Sequence, residues 1–189
     1  KSLKNMPKLL LLRHLESQWN KENRFTGWAD VPLSKEGIES AKEVAGKLAG
    51  FEIDKVYTSP LSRNRETVSL ILENIGKKNL PIVIDKALDE RNYGKLQGLN
   101  KDEVKKQYGE EQVNLWRRSW NEAPPKGESL KDVYQRTTPF FKKYVAKDLK
   151  EGKNVLIVAS HNSLRALVKY IDKISDKDIM NFEIPYGGL

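Results

Sequence analysis

Asn154-Val-Leu-Ile-Val-Ala-Ser-His161 is the stretch whose reading decides the fold. Val155 to Ala159 are uniformly apolar and mostly branched, a run too short for a helix and suited to a strand buried on both faces. Working outward, Lys8–Leu12 repeats the pattern and again runs into a histidine, through Arg13-His14. Lys55–Thr58 and Pro81–Ile84 read as two further short strands. Helical periodicity fills the intervals. Ser34 caps a helix carrying Ile38, Ala41, Val44, Ala45 and Leu48, which Gly50 ends. Leu61, Val68, Ile71, Leu72 and Ile75 mark the next, and two shorter helices fall at 100–107 and 110–119. After the break at Pro124-Pro125, an apolar stripe runs from Leu130 to Leu149, bent near Pro139, and a last helix covers Leu164–Ile171. Strands alternating with helices predict an α/β fold, a three-layer sandwich of a largely parallel sheet with helices on both faces.

Composition narrows the function. A length of 189 residues without repeats or Gly/Ser linkers predicts one domain over 1–189. The absence of cysteine removes disulfides, thiolate zinc sites and thiol nucleophiles. No apolar run is long enough to span a membrane, and the lysine-rich start leads into no signal core, so a cytoplasmic protein is expected. The net charge of +8 is spread as lysine pairs among acids, which argues against nucleic acid as a partner and leaves an anionic small molecule or a solvated surface.

In parallel sheets ligands sit beyond the carboxyl ends of the strands. Both histidines of the chain, His14 and His161, stand there, and Arg13 and Arg63 reach the same edge. The plain alternative, two core histidines with satisfied hydrogen bonds, would be preferred for one histidine and is weaker for two of two. Guanidinium forks suit phosphate. No Gly-rich phosphate loop, nucleophile elbow or metal-ligand spacing is present. That leaves a histidine nucleophile, a ring nitrogen that takes a phosphoryl group directly.

The residues now carry a resemblance. Leu12-Arg-His-Leu-Glu-Ser-Gln-Trp-Asn20, Thr58-Ser-Pro-Leu-Ser-Arg63 and Ala159-Ser-His-Asn-Ser-Leu-Arg165 resemble the motifs of the histidine phosphatase superfamily. Asn23–Trp28, Leu88–Lys101 and Tyr108–Arg118 resemble, more narrowly, the cofactor-dependent phosphoglycerate mutases. The likeness implies His14 as the nucleophile that becomes phosphohistidine. Arg13, Arg63, His161 and Asn20 would surround the transferred group, with Ser17 beside them. Glu90 would give and take the substrate proton. Thr26, Gly27, Arg91, Tyr93, Lys101, Arg117, Arg118 and Asn162 would hold the rest of a phosphoglycerate. It further implies 2,3-bisphosphoglycerate as phosphoryl primer, no metal, small-molecule phosphoglycerates as the partners and a homo-oligomer among relatives. The 124–129 connection resembles the shorter mutase variant without a long insertion, which is expected to weaken the contacts through which those relatives assemble.

Three departures accompany the likeness. Leu15 replaces a usual glycine, and Ser160-His161-Asn162 lacks the glycine that normally separates histidine from asparagine. A one-residue deletion that keeps His161 in role is preferred over a gapless match that puts Ser160 there. The two changes are expected to meet in one repacked contact between Leu15 and the 160–162 turn. The chain also stops at Ile184-Pro-Tyr-Gly-Gly-Leu189, where relatives continue into a strand and tail. Interconversion of 3- and 2-phosphoglycerate is the first reading, a histidine phosphomonoesterase the second and a non-catalytic phosphometabolite-binding protein the third.

Overall fold

The computed structural model describes residues 6–189. Strand β1 (Leu9–Arg13) is followed by helices α1 (Gln18–Lys21), α2 (Lys35–Glu39) and α3 (Ala41–Leu48). Then come β2 (Lys55–Thr58), α4 (Ser62–Asn74) and β3 (Ile82–Ile84). Helices α5 (Lys101–Tyr108), α6 (Glu110–Arg118), α7 (Leu130–Phe140) and α8 (Ala146–Lys150) precede β4 (Val155–Ala159) and α9 (His161–Asp172). The four strands form one parallel sheet in the order β1-β4-β2-β3.

The sheet is covered on both faces, which explains why β4 is apolar without alternation. Leu156 and Val158 point into a cluster with α3 and α4, through Val44, Leu48, Val68 and Ile71. Val155, Ile157 and Ala159 point the other way, onto Phe140, Phe141, Val145, Leu164 and Leu167. All five β4 side chains are buried, each large one worth about 1.5–3 kcal/mol against exposure. The expected three-layer α/β architecture is the one observed. Among the described residues no helix is long and apolar enough to cross a membrane.

The structure corrects several boundaries. The helix capped by Ser34 is two helices broken at Ser40, whose hydroxyl donates back to the Gly37 carbonyl at 2.7 Å and competes with the helical ladder. Ile38, assigned to the apolar face, is exposed in consequence. The long stripe divides into α7, a π-type turn over Phe141–Val145 and α8. Pro139, within α7, has no N–H for the ladder and precedes that turn. Helix α9 starts at His161, a turn earlier than its apolar positions suggest. Leu15, expected to pack on the 160–162 turn, has other neighbours. It lies in the α3/α4 core, and a Cβ placed on Gly187 would stand 3.4 Å from Leu15 Cδ2 and 2.7 Å from Val44 Cγ2. The C-terminal segment also approaches Leu15, through a glycine at φ +63°.

Candidate active site

The carboxyl ends of β1, β2 and β4 open into a cavity of about 250 Å³. Of the residues singled out from sequence, Arg13, His14, Asn20, Thr26, Gly27, Arg63, Glu90, Tyr93, Lys101, Arg117, Arg118, His161 and Asn162 line it. Ser17 and Arg91 do not. Ser17 is fully buried as the N-cap of α1, where it and Asn20 form a reciprocal capping box. That box holds the Asn20 side chain, with its Oδ1 committed to the Ser17 N–H.

The two histidines are held in opposite tautomers. His14 Nδ1 lies 2.6 Å from the Leu15 carbonyl oxygen, which can only accept, so Nδ1 carries the proton and Nε2 keeps its lone pair. His161 Nε2 accepts the Ile184 N–H at 3.0 Å, so in the neutral ring the proton stands on Nδ1. Burial lowers the pKa of both, with Arg63 and Arg13 adding to the effect at His14, and Arg13 and Arg118 at His161. At neutral pH both rings are neutral, His14 with the lone pair of Nε2 free and His161 with its proton on Nδ1.

Around them stand six cations, Arg13, Arg24, Arg63, Lys101, Arg117 and Arg118, against two carboxylates, Glu90 and Glu183. Arg63 is anchored by donating to the Gly27 and Ala29 carbonyls at 2.7 and 3.0 Å. Gly27 is required there. It adopts φ +59°, and a Cβ would come within 2.3 Å of Gln97 Oε1 and 2.9 Å of the Tyr93 nitrogen. Glu90 Oε1 accepts the backbone N–H groups of Arg91 and Asn162, at 2.7 and 3.1 Å, the second from the first turn of α9. Its own carbonyl is held by Trp28 Nε1 and Arg136 Nη2. Arg13 and Thr26 line the cavity, and Arg13 Nε and Thr26 Oγ1 are buried without a hydrogen-bond partner among the described residues. The donors present fit a phosphate ester.

Arg117 and Arg118 close helix α6, and two buried guanidiniums hold that end in place. Arg91 donates to the Trp116 carbonyl and, at 3.4 Å, to that of Arg117. Arg165 donates to the carbonyls of Arg117, Arg118, Ile179 and Phe182 and to Asn162 Oδ1, which uses all five of its N–H groups. Arg91 is thus a positioning residue beneath the pocket. Sequence reading did not single out Arg165, although it closes the third motif, because an arginine on an amphipathic helix carries no sign of what it will touch. It also missed Arg24 and the wall formed by Glu183, Ile184, Pro185 and Tyr186. Tyr186 lies over the Arg13 guanidinium, 4.0 Å from ring centroid to Cζ, and the Ile184 carbonyl accepts from Arg13 Nη1 at 2.5 Å. Among the described residues no cluster of three potential metal ligands occurs.

Fold and cavity define an α/β protein with a histidine- and arginine-built anion site at the carboxyl edge of its sheet. The model of the histidine phosphatase superfamily (branch 1) matches residues 9–189. A 2,3-bisphosphoglycerate-dependent phosphoglycerate mutase of Parvibaculum lavamentivorans is 46% identical over 96% of this chain and 88% of its own length. The protein of that name from Enterococcus faecalis is 45% identical over 96% and 92%. Among solved structures, Bacillus stearothermophilus YhfR superposes with a TM-score of 0.80 at 31% identity, covering 94% of this chain and 85% of that one. A mycobacterial glucosyl-3-phosphoglycerate phosphatase complexed with VO3 gives 0.84 at 25%, covering 95% and 89%. The chain belongs to the histidine phosphatase superfamily, and within it to the family of the 2,3-bisphosphoglycerate-dependent phosphoglycerate mutases.

Proposed function

We propose that this enzyme interconverts 3- and 2-phosphoglycerate through phosphorylated His14. The observation that carries the reading is a second cation group, Lys101, Arg117 and Arg118, in the same cavity as His14. A simple phosphomonoesterase needs cations only around the transferred group, whereas a mutase must also hold an anion at the far end of a two-phosphate species. 2,3-Bisphosphoglycerate supplies the phosphoryl group that primes the enzyme. His14 Nε2 attacks phosphorus as the phosphorus–oxygen bond of the donor breaks, and Glu90 protonates the departing oxygen. In the return direction Glu90 takes the proton of the substrate hydroxyl as that oxygen accepts the phosphoryl group from His14. Arg13, Arg63 and the His161 N–H donor neutralise the phosphoryl oxygens.

Incubation with 2,3-bisphosphoglycerate should label the protein with phosphate that is acid-labile and base-stable, and His14→Ala should abolish label and turnover. Full labelling of that variant would refute the nucleophile. A second measurement separates mutase from phosphatase. Replacing Arg117 and Arg118 together by Gln should cost mutase kcat/KM at least about a hundredfold, at roughly 1.5–3 kcal/mol per charged hydrogen bond. Hydrolysis of a small phosphate ester, whose contacts stop at His14, should lose far less. Equal losses would place these arginines in folding or in the half-reaction common to both activities, and the mutase reading would then rest on the resemblance alone.

A further inference from the structure

Glu183 stands inside the anion cavity with its Oε1 2.6 Å from Arg118 Nη2. The Arg118 side chain is only 15% exposed, whereas that of Glu183 is 59% exposed. The backbone on both sides of this contact is tethered by hydrogen bonds. The Phe182 carbonyl accepts from Arg165, the Ile184 N–H donates to His161, and the Arg118 carbonyl is held by Arg165. The Glu183 side chain, in contrast, makes one ion pair among the described residues and has solvent on its other side. It can leave Arg118 by a rotamer change alone, with no movement of the segment that carries it.

We propose that Glu183 is a specificity-determining residue, an internal carboxylate that occupies the second anion subsite at Arg118 and is displaced by the far anionic group of a doubly charged substrate. The inference rests on the mutase reading, since only such a substrate reaches both His14 and Arg118. A carboxylate–guanidinium pair whose acid stands largely in solvent is weak, whereas a mostly buried arginine left without a partner is costly. Glu183 therefore covers Arg118 whenever the substrate's far end is absent, including while a two-phosphate species turns over in the cavity. It yields to a phosphate or carboxylate that also touches Lys101 and Arg117. The consequence is a lowered affinity for bisphosphorylated ligands and easier release.

Glu183→Gln keeps the shape of the side chain and removes its charge. Calorimetric titration with 2,3-bisphosphoglycerate should show a Kd about two- to fivefold lower in the variant, the range an exposed ion pair commands. In an Arg118→Gln background the same substitution should change Kd by far less, because the coupling runs through that guanidinium. Melting temperatures within error of each other would establish that all variants are folded. An unchanged or raised Kd in Glu183→Gln, with the wild type binding normally, would overturn the proposal and leave the mutase reading standing. An equal gain without Arg118 would overturn it too. Failure of the wild type to bind 2,3-bisphosphoglycerate, while still binding inorganic phosphate, would remove the mutase reading and this proposal together.

Discussion

At pH 7 the Lys101 ammonium is charged, yet burial, with Arg117, Arg13 and Arg118 beside it, pushes its pKa down to about 8. The sign follows directly. As pH rises through 8 the free enzyme loses this cation, so an anionic substrate binds less well. If only the charged form binds, KM for 3-phosphoglycerate should rise about tenfold between pH 7 and pH 9. Lys101→Arg should flatten that rise, and a KM that stays constant to pH 9 in the wild type would place Lys101 outside the substrate contacts. Single residues differ sharply in how legible they are. His14 and His161 are legible because the chain has no other histidines and each follows an apolar strand. Glu183 is not, because an acid in an irregular segment looks like any solvated carboxylate until its neighbour is seen.

Helix α6 matters to the site less for its own sequence than for what holds its end. Its last carbonyls are unpaired within the helix and take their donors from Arg91 and Arg165. Arg165→Lys would offer three donors on a compact ammonium in place of five in a planar fork. The carbonyls of α6 and of Ile179 and Phe182 could not all be served. The expected result is a kcat/KM for phosphoglycerate lowered about ten- to a hundredfold, mostly through KM, with a smaller loss for a small phosphate ester. A uniform loss on both substrates, with a matching fall in folded fraction, would make Arg165 a purely structural residue. Element boundaries were legible where apolar periodicity reaches the end, as in α5, α6 and β4. They were not where the terminal turn is polar. Helix α9 begins with His161-Asn162-Ser163, which its apolar stripe cannot reveal, and α1 contains no buried residue at all. Its capping box at Ser17 and Asn20 was the available sign.

Across the whole molecule, the arrangement that makes the cavity reactive also makes the fold sensitive to acid. His14 and His161 are buried and held neutral, each facing cations on several sides: Arg13 and Arg63 for the first, and Arg13, Arg118, Arg165 and Arg117 for the second. Their folded pKa values lie below the ordinary histidine value, which the unfolded chain retains. Below about pH 6.5 the unfolded state therefore takes up protons that the folded state refuses. The stability these rings contribute is complete above that pH and is lost progressively as pH falls toward the folded values. Each ring changes the slope by up to about 1.4 kcal/mol per pH unit, so the pair should remove roughly 2 kcal/mol between pH 6 and pH 5. Urea denaturation at pH 7, 6 and 5 reads this directly. His161→Gln, whose amide oxygen can still accept the Ile184 N–H, should halve the slope over that interval. The shift should appear in the denaturation midpoint at constant m. A wild-type midpoint that does not move between pH 7 and 5 would mean that both rings can be protonated in place.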